Sequence, residues 1–301
     1  MTDKQRVGLI GIGLMGHGIG KNILKNGYAL TVLAHTNRKP VESLIGLGAS
    51  EASSAKELAE DSDVVILCVT GSPEVENTLY RDGGLMEGIH NGMVVVDCST
   101  AEPDSTLKVA ADIQSKGGRY VDAPMTRTPK EAETGNLGLM TGGDETTIAE
   151  IRPILDCFSD TIIHAGGVGS AHKLKLINNF LALGTAALVS EAIAAAAKGG
   201  VDIQALNDIV VAGGANSIMF ERLMRVALDD DDSALQFYIK NAQKDLRYYT
   251  TMTQNQSSTS FIAESVHQSY ILANNLGYGE KFVPRMVDFM GQINDVKVRK
   301  Q

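Results

Sequence analysis

The segment Arg6-Val7-Gly8-Leu9-Ile10 is a short apolar run that breaks at Gly11-Ile12-Gly13-Leu14-Met15-Gly16 and gives way at once to a helical pattern. An apolar strand, a glycine turn and a helix, in that order, constrain the fold more than anything else in the chain. The glycines permit a tight turn and a close backbone approach to an anion, which then rests on the positive end of the helix dipole. In that context Gly11, Gly13, Leu14, Met15 and Gly16 are expected to cradle a dinucleotide.

The pattern repeats through the first half. Arg6–Ile10, Tyr28–Leu33, Asp63–Val69 and Met93–Asp97 are β-branched or aliphatic runs between turn signals, as in parallel strands covered on both faces. Between them lie helical segments at Leu14–Asn26, Pro40–Leu47, Ser54–Ala59 and Asp104–Lys116. Further strands are expected at Arg119–Asp122, Leu137–Thr141 and Thr161–His164. Such alternation predicts an α/β fold, a Rossmann-type doubly wound sheet over residues 1–165. After Gly169 the strand signal vanishes. Ala171–Lys198 is one long Ala- and Leu-rich helical stretch, apolar nearly all round and therefore expected to be buried between domains or subunits. It opens an all-α C-terminal domain, residues 166–301, in which Asp202 is a candidate helix cap.

Composition removes several classes of function. With 27 Lys+Arg against 36 Asp+Glu the net charge is -9, which disfavours nucleic acid as a partner. Hydrophobic content of 44% with 21% charged residues is that of a globular protein rather than a disordered one. Ser190 and Glu191 interrupt the longest apolar stretch, so a buried helix is expected there and not a membrane span. Cys68, Cys98 and Cys157 are scattered and form no metal-ligand spacing. Asp229–Asp232 lacks the pattern of a calcium loop and reads as a solvated turn. The N-terminal apolar run reads as a strand, not a signal peptide, and a cytoplasmic location is expected.

An NAD enzyme usually places an acid at the end of its second strand, about 20 residues after the glycine turn, to hold the ribose 2′-hydroxyl. Here that region is Leu33-Ala34-His35-Thr36-Asn37-Arg38-Lys39, without an acid. Asn37, Arg38 and Lys39 offer donors to a 2′-phosphate, which favours NADP over NAD as the cofactor.

Three more segments complete the pattern. Asp97-Cys98-Ser99-Thr100 ends a strand, where ligands of open α/β sheets bind. Asp122-Ala123-Pro124-Met125-Thr126-Arg127-Thr128 follows the next strand, and Gly169-Ser170-Ala171-His172-Lys173-Leu174-Lys175-Leu176-Ile177-Asn178-Asn179 enters the long helix. Together with the glycine turn, Phe237 and Lys244-Asp245-Leu246, these motifs resemble the β-hydroxyacid dehydrogenases, the family of 3-hydroxyisobutyrate dehydrogenase and tartronate semialdehyde reductase. The resemblance spans essentially the whole chain. It implies hydride exchange between a nicotinamide and a small acidic aldehyde or hydroxy acid, in a homodimer or homotetramer.

The resemblance assigns catalysis to Lys175 and Asn179, which at i and i+4 share a helix face. Lys173 competes for the role, but its i+4 partner is Ile177. Burial can lower a lysine's pKa toward neutrality, as an acid/base for an alcohol proton needs. By the same resemblance Ser99 and Thr126 bind substrate, Thr100 lies against the cofactor, and Lys244 lines the site near both nicotinamide and substrate.

Departures from the family pattern are informative. Carboxylate-specific members read D-A-P-V-S-G-G where this chain has Thr126-Arg127-Thr128. Arg127 adds a five-donor fork suited to an oxyanion, a feature similar to the sulfolactaldehyde reductase branch of the family. Two alternatives therefore stand beside a carboxylate-specific enzyme. One is a sulfonate-specific reductase with Arg127 on the sulfonate; the other is a non-catalytic dinucleotide sensor on the same fold. Imine reductases commonly lack the Lys–Asn pair, and 6-phosphogluconate dehydrogenase has a much longer helical domain.

Overall fold

The computed structural model describes residues 4–299. The chain divides into two compact units between Lys175 and Leu176. The first runs β1 (Val7–Ile10), α1 (Gly16–Lys25), β2 (Leu30–Leu33), α2 (Lys39–Gly46), β3 (Ser50–Ala52), α3 (Ala55–Glu60), β4 (Val64–Leu67) and α4 (Ser72–Tyr80). It continues with α5 (Leu85–Gly88), β5 (Val94–Asp97), α6 (Pro103–Ser115), β6 (Arg119–Asp122), β7 (Met125–Thr126), α7 (Pro129–Thr134), β8 (Leu137–Gly142), α8 (Glu145–Leu155) and β9 (Ser159–Gly166). Helix α9 (Ser170–Lys198) leads into the second unit, followed by α10 (Ile203–Val211), α11 (Ile218–Asp229), α12 (Ile239–Asn255), α13 (Phe261–Ala273) and α14 (Met286–Ile293).

Among the described residues nine strands form one sheet in the order β3-β2-β1-β4-β5-β6-β8-β7, with β9 on β8. β1 to β6 pair in parallel, with Val7 opposite Leu30 on one side and Val64 on the other. The order reverses at β1, which places the ligand crevice beyond the carboxyl ends of β1 and β4. Helices on both faces explain why Val64–Leu67 and Val94–Asp97 are buried throughout. Two apolar clusters flank the sheet, one around Leu9, Ile19 and Ile66, the other around Leu58, Leu67 and Ile113. Each fully buried Ile or Leu contributes roughly 1.5–3 kcal/mol.

Two strands carry no readable periodicity. β3 is Ser-Glu-Ala with two exposed residues, and β7 is only Met125–Thr126. The glycine turn takes Leu14 and Met15, so α1 starts at Gly16 rather than Leu14. The division at Lys175 lies ten residues beyond the expected boundary at 165, because the first turns of α9 are tied to the exits of β5 and β6.

In the helical unit Leu183, Ala186, Ile193 and Ala194 of α9 pack into a core with Leu223, Leu246, Tyr270 and Phe289. By length and composition α9 is, after all, the one helix among the described residues able to cross a membrane. Its burial is one-sided, however: Leu181 is 63% and Leu188 70% exposed. The buried Ser190 hydroxyl donates to the Ala186 carbonyl, 2.8 Å away, which satisfies it inside the apolar stretch. The acid run at 229–232 is more than a solvated turn. Arg285 pairs with Asp230, Asp232 and Asp288, and Arg299 joins through Asp230 and Asp288, so the run anchors the chain's last segment. Among the described residues no cluster of three or more His, Cys, Asp or Glu could hold a metal.

Candidate active site

The glycine turn follows β1 and its three glycines serve different needs. Gly11 has φ +97°, and a Cβ there would stand 2.2 Å from the Cys68 carbonyl oxygen beyond β4. A Cβ on Gly16 would meet the Gly11 carbonyl oxygen at 2.0 Å. Around Gly13 nothing lies within 4 Å of that position. Gly11 and Gly16 thus let the turn close, and Gly13 leaves an open cradle above it. α1 begins there without a side-chain cap or an acid in its first turn, so its amides and dipole face that space. These features fit a dinucleotide pyrophosphate.

At the end of β2 the Asn37 Oδ1 accepts the Lys39 N–H at 3.3 Å, turning the chain into α2. Arg38 does not stand alone. Its guanidinium forms two 3.0 Å hydrogen bonds to the Glu51 carboxylate and lies 3.5 Å from Glu42. Glu51 of β3 thus sets a carboxylate beside Arg38, and this pairing holds the Glu51 carboxyl below the usual range.

The exits of β5 and β6 are pinned by buried carboxylates. Asp97 accepts the Ser99 N–H at 2.9 Å and the Tyr120 O–H at 2.8 Å. Ser99 is buried, and its Oγ accepts the Val69 N–H at 3.1 Å. Thr100 follows, half-buried. Asp122 accepts the Gly169 N–H at 2.8 Å and the His172 N–H at 2.9 Å, capping α9 from another element. Burial pushes the Asp122 carboxyl up, while the nearby imidazole of His172 and these amides oppose it. Gly142 makes room, since a Cβ there would meet the Asp122 carboxylate at 2.6 Å.

Lys175 Nζ donates to the Met125 carbonyl at 2.6 Å. One turn on, in the helical unit, the buried Asn179 donates from Nδ2 to Asp245 Oδ2 at 2.7 Å. Asp245 Oδ1 lies 2.9 Å from Lys244 Nζ, which also sits 4.8 Å over the Tyr248 ring. Asp245, 3% exposed, thus binds Asn179 and Lys244 into one cluster. Its place beside Lys244 in sequence is the sole signal that pointed to it.

Thr126 Oγ1 donates to the Gly138 carbonyl at 3.3 Å. Arg127 follows directly. Its backbone has φ +77°, a region that favours the family's glycine. Its guanidinium binds Asp160 at 2.6 Å, Thr161 at 3.3 Å and the Asn136 carbonyl, so its donors are engaged by the start of β9 and the turn before β8. In this structure the guanidinium is engaged in an exposed ion pair.

A strand-order reversal over a glycine cradle marks a dinucleotide-binding unit. Comparison with known proteins agrees. Residues 6–167 match the NAD binding domain of 6-phosphogluconate dehydrogenase, and residues 169–289 match the NAD-binding domain of NADP-dependent 3-hydroxyisobutyrate dehydrogenase. Glyoxylate/succinic semialdehyde reductase 1 of Arabidopsis thaliana is 28% identical over 98% of this chain and 99% of its own. The 3-sulfolactaldehyde reductase of Escherichia coli is 35% identical over 62% of each chain. The 2-hydroxy-3-oxopropionate reductase of Escherichia coli is 31% identical over 72% of this chain and 73% of its own. Among solved structures, 3-hydroxyisobutyrate dehydrogenase from Salmonella typhimurium superposes with a TM-score of 0.83 at 25% identity, covering 95% of this chain and 100% of its own. A protein named Psf3, in complex with NADP+ and 2-OPP, shares the fold with a TM-score of 0.82 at 24% identity, over 94% of this chain and 99% of its own.

The chain is an NAD(P)-dependent oxidoreductase acting on a CH–OH group. It belongs to the β-hydroxyacid dehydrogenase family.

Proposed function

We propose that the protein reduces a small carboxylate-bearing aldehyde to the hydroxy acid, or runs the reverse, with Lys175 as general acid/base. One observation carries this reading: the Lys175 ammonium is held at 2.6 Å by the Met125 carbonyl, one helical turn before Asn179. The nicotinamide, when bound, supplies or accepts the hydride. Lys175 gives its proton to the carbonyl oxygen in reduction and takes it back in oxidation. Ser99 and Thr126 bind the acid end, with Thr100 beside the cofactor. Asp245 fixes the Asn179 carboxamide and the Lys244 ammonium, so both present a set orientation to substrate. Gly11, Gly13, Leu14, Met15 and Gly16 hold the pyrophosphate.

Carboxylate is favoured over sulfonate because Arg127 would first have to leave Asp160. NADP is favoured over NAD because Asn37, Arg38 and Lys39 follow β2 with no acid among them, the Arg38 guanidinium being shared with Glu51. Arg38→Asp is expected to move the NADPH/NADH preference toward NADH; an unchanged ratio would remove Arg38 from cofactor choice. Exposed Leu181, Leu188, Ile218, Phe261 and Ile262 on the helical unit support a homodimer or homotetramer, which we place in the cytoplasm. Sedimentation of a monomer would refute that assembly.

The decisive test is Lys175→Ala. Turnover should fall by about 10² to 10⁴-fold, the usual worth of general acid/base catalysis, with NADPH affinity kept. Near-normal turnover would exclude Lys175 from proton transfer. A panel of succinic semialdehyde, tartronate semialdehyde, methylmalonate semialdehyde and sulfolactaldehyde then separates carboxylate from sulfonate.

A further inference from the structure

His172 is completely buried, yet it takes no part in the chemistry above. Its Nε2 lies 3.2 Å from the Ser99 carbonyl and its Nδ1 2.7 Å from Thr106 Oγ1. A carbonyl oxygen has no hydrogen to give, so Nε2 carries the proton and donates. Thr106, which also lies 3.1 Å from the Glu102 carbonyl, fixes the ring from the first turns of α6. The backbone N–H of His172 goes to Asp122. His172 is therefore held at three points, on the β5 exit, on α6 and on the β6 exit.

His172 and Lys175 are i and i+3 on α9, and so are neighbours on one side of the helix. Ser99 is fixed at its amide by Asp97 and at its hydroxyl by Val69; its carbonyl is the third point, and His172 holds it. An imidazole in a fully buried place costs stability unless both nitrogens are bonded. Here both are, and one of the partners is the backbone of the serine that meets substrate.

We infer that His172 is a positioning residue: through the Ser99 carbonyl it sets the acid-binding loop at a fixed height against the helical turn that carries Lys175. This rests on the roles proposed above for Ser99 and Lys175. The effect belongs to recognition of the substrate's acid group rather than to proton transfer, because the bond ends on Ser99 and not on the Lys175 ammonium.

The test uses the full-length enzyme and three variants. In His172→Gln the side-chain amide can reach the position of Nε2 and keep the Ser99 bond. In His172→Asn it stops near Nδ1 and keeps only Thr106, and His172→Leu keeps neither. KM for succinic semialdehyde should rise about five- to tenfold in the Asn and Leu variants, the worth of one lost neutral hydrogen bond, and stay near normal in Gln. kcat should change little, NADPH affinity not at all, and KM for propionaldehyde, which has no acid group, should be insensitive to all three. Equal losses in Asn and Gln, or equal losses on both aldehydes, would overturn the inference by reducing His172 to packing. Should the Leu variant not fold, the Asn–Gln contrast decides alone. Ser99→Ala separates the layers. If it leaves KM for the acid aldehyde unchanged, the serine's role falls and this inference with it. If it raises KM while His172→Asn does not, the inference alone falls.

Discussion

In the first unit the buried polar groups Asp97, Ser99 and Asp122 sit at the carboxyl ends of parallel strands, whereas in the helical unit Asn179 and Asp245 lie on α9 and α12. Asp97 and Asp122, the last residues of β5 and β6, accept the backbone amides of Ser99, Gly169 and His172, with the Tyr120 hydroxyl on the second Asp97 oxygen, so the loops beyond them are fixed through main chain. Asp245 instead binds two side chains, Asn179 and Lys244. The first arrangement leaves a trace in local sequence, since a strand, an acid and a turn follow one another. The second depends on two helices 66 residues apart, by the Asn179–Asp245 separation, meeting in register.

Within the first unit, the largest expected effect distinguishes glycines that shape the turn from one that shapes the ligand. Gly16→Ala drives a Cβ into the Gly11 carbonyl and should lower the melting temperature of the ligand-free protein by several degrees. Gly13→Ala meets no atom, so ligand-free stability should hold while dinucleotide affinity drops at least about tenfold. Thermal melts and fluorescence titration check both; if Gly13→Ala binds NADPH normally, the open cradle is not the pyrophosphate site.

A smaller effect sets the two units directly against each other. Asp122→Ala leaves two buried amides without an acceptor and should cost about 2–4 kcal/mol. Asp245→Ala should cost less, about 1–3 kcal/mol, because side chains can reorient where backbone cannot. Its larger consequence should be catalytic, through a released Asn179. Chemical denaturation ranks the pair, and an inverted order would mean that the Asn179–Asp245–Lys244 cluster is a structural keystone.

The smallest effect concerns Arg127. Arg127→Gly relieves a left-handed backbone and gives up an exposed ion pair, two opposed small contributions. The melting temperature should move by no more than about 2 °C, and activity on carboxylate aldehydes should persist. A selective collapse of sulfolactaldehyde reduction would restore the arginine to the substrate.

The order of these effects parallels what could be read in advance. Gly11 to Gly16 and the apolar runs of β1, β4 and β5 are local patterns whose periodicity and glycines leave little freedom. β3 was invisible because an edge strand of Ser50, Glu51 and Ala52 has no apolar repeat. With it went Glu51, and with Glu51 the fact that Arg38 is already paired. Arg127 is an oxyanion fork by residue type, while its positive φ and its bond to Asp160 belong to the fold. Side-chain direction depends on backbone torsion and neighbours, which a residue type does not state. Asp229–Asp232 looked solvated because Arg285 and Arg299, more than 50 residues on, are what neutralise it.

By itself, then, the sequence determined the sheet's parallel strands, the dinucleotide turn, the long helix and the spacing of Lys175 and Asn179, because each is a short-range pattern obeying a fixed period. The tertiary structure decided which polar groups are already spoken for: Arg38 by Glu51, Arg127 by Asp160, Asn179 by Asp245, and Ser99 by His172. Hydrogen bonds and ion pairs form between whatever the fold brings within about 3 Å, and that proximity is a property of packing over many residues, not of any one segment.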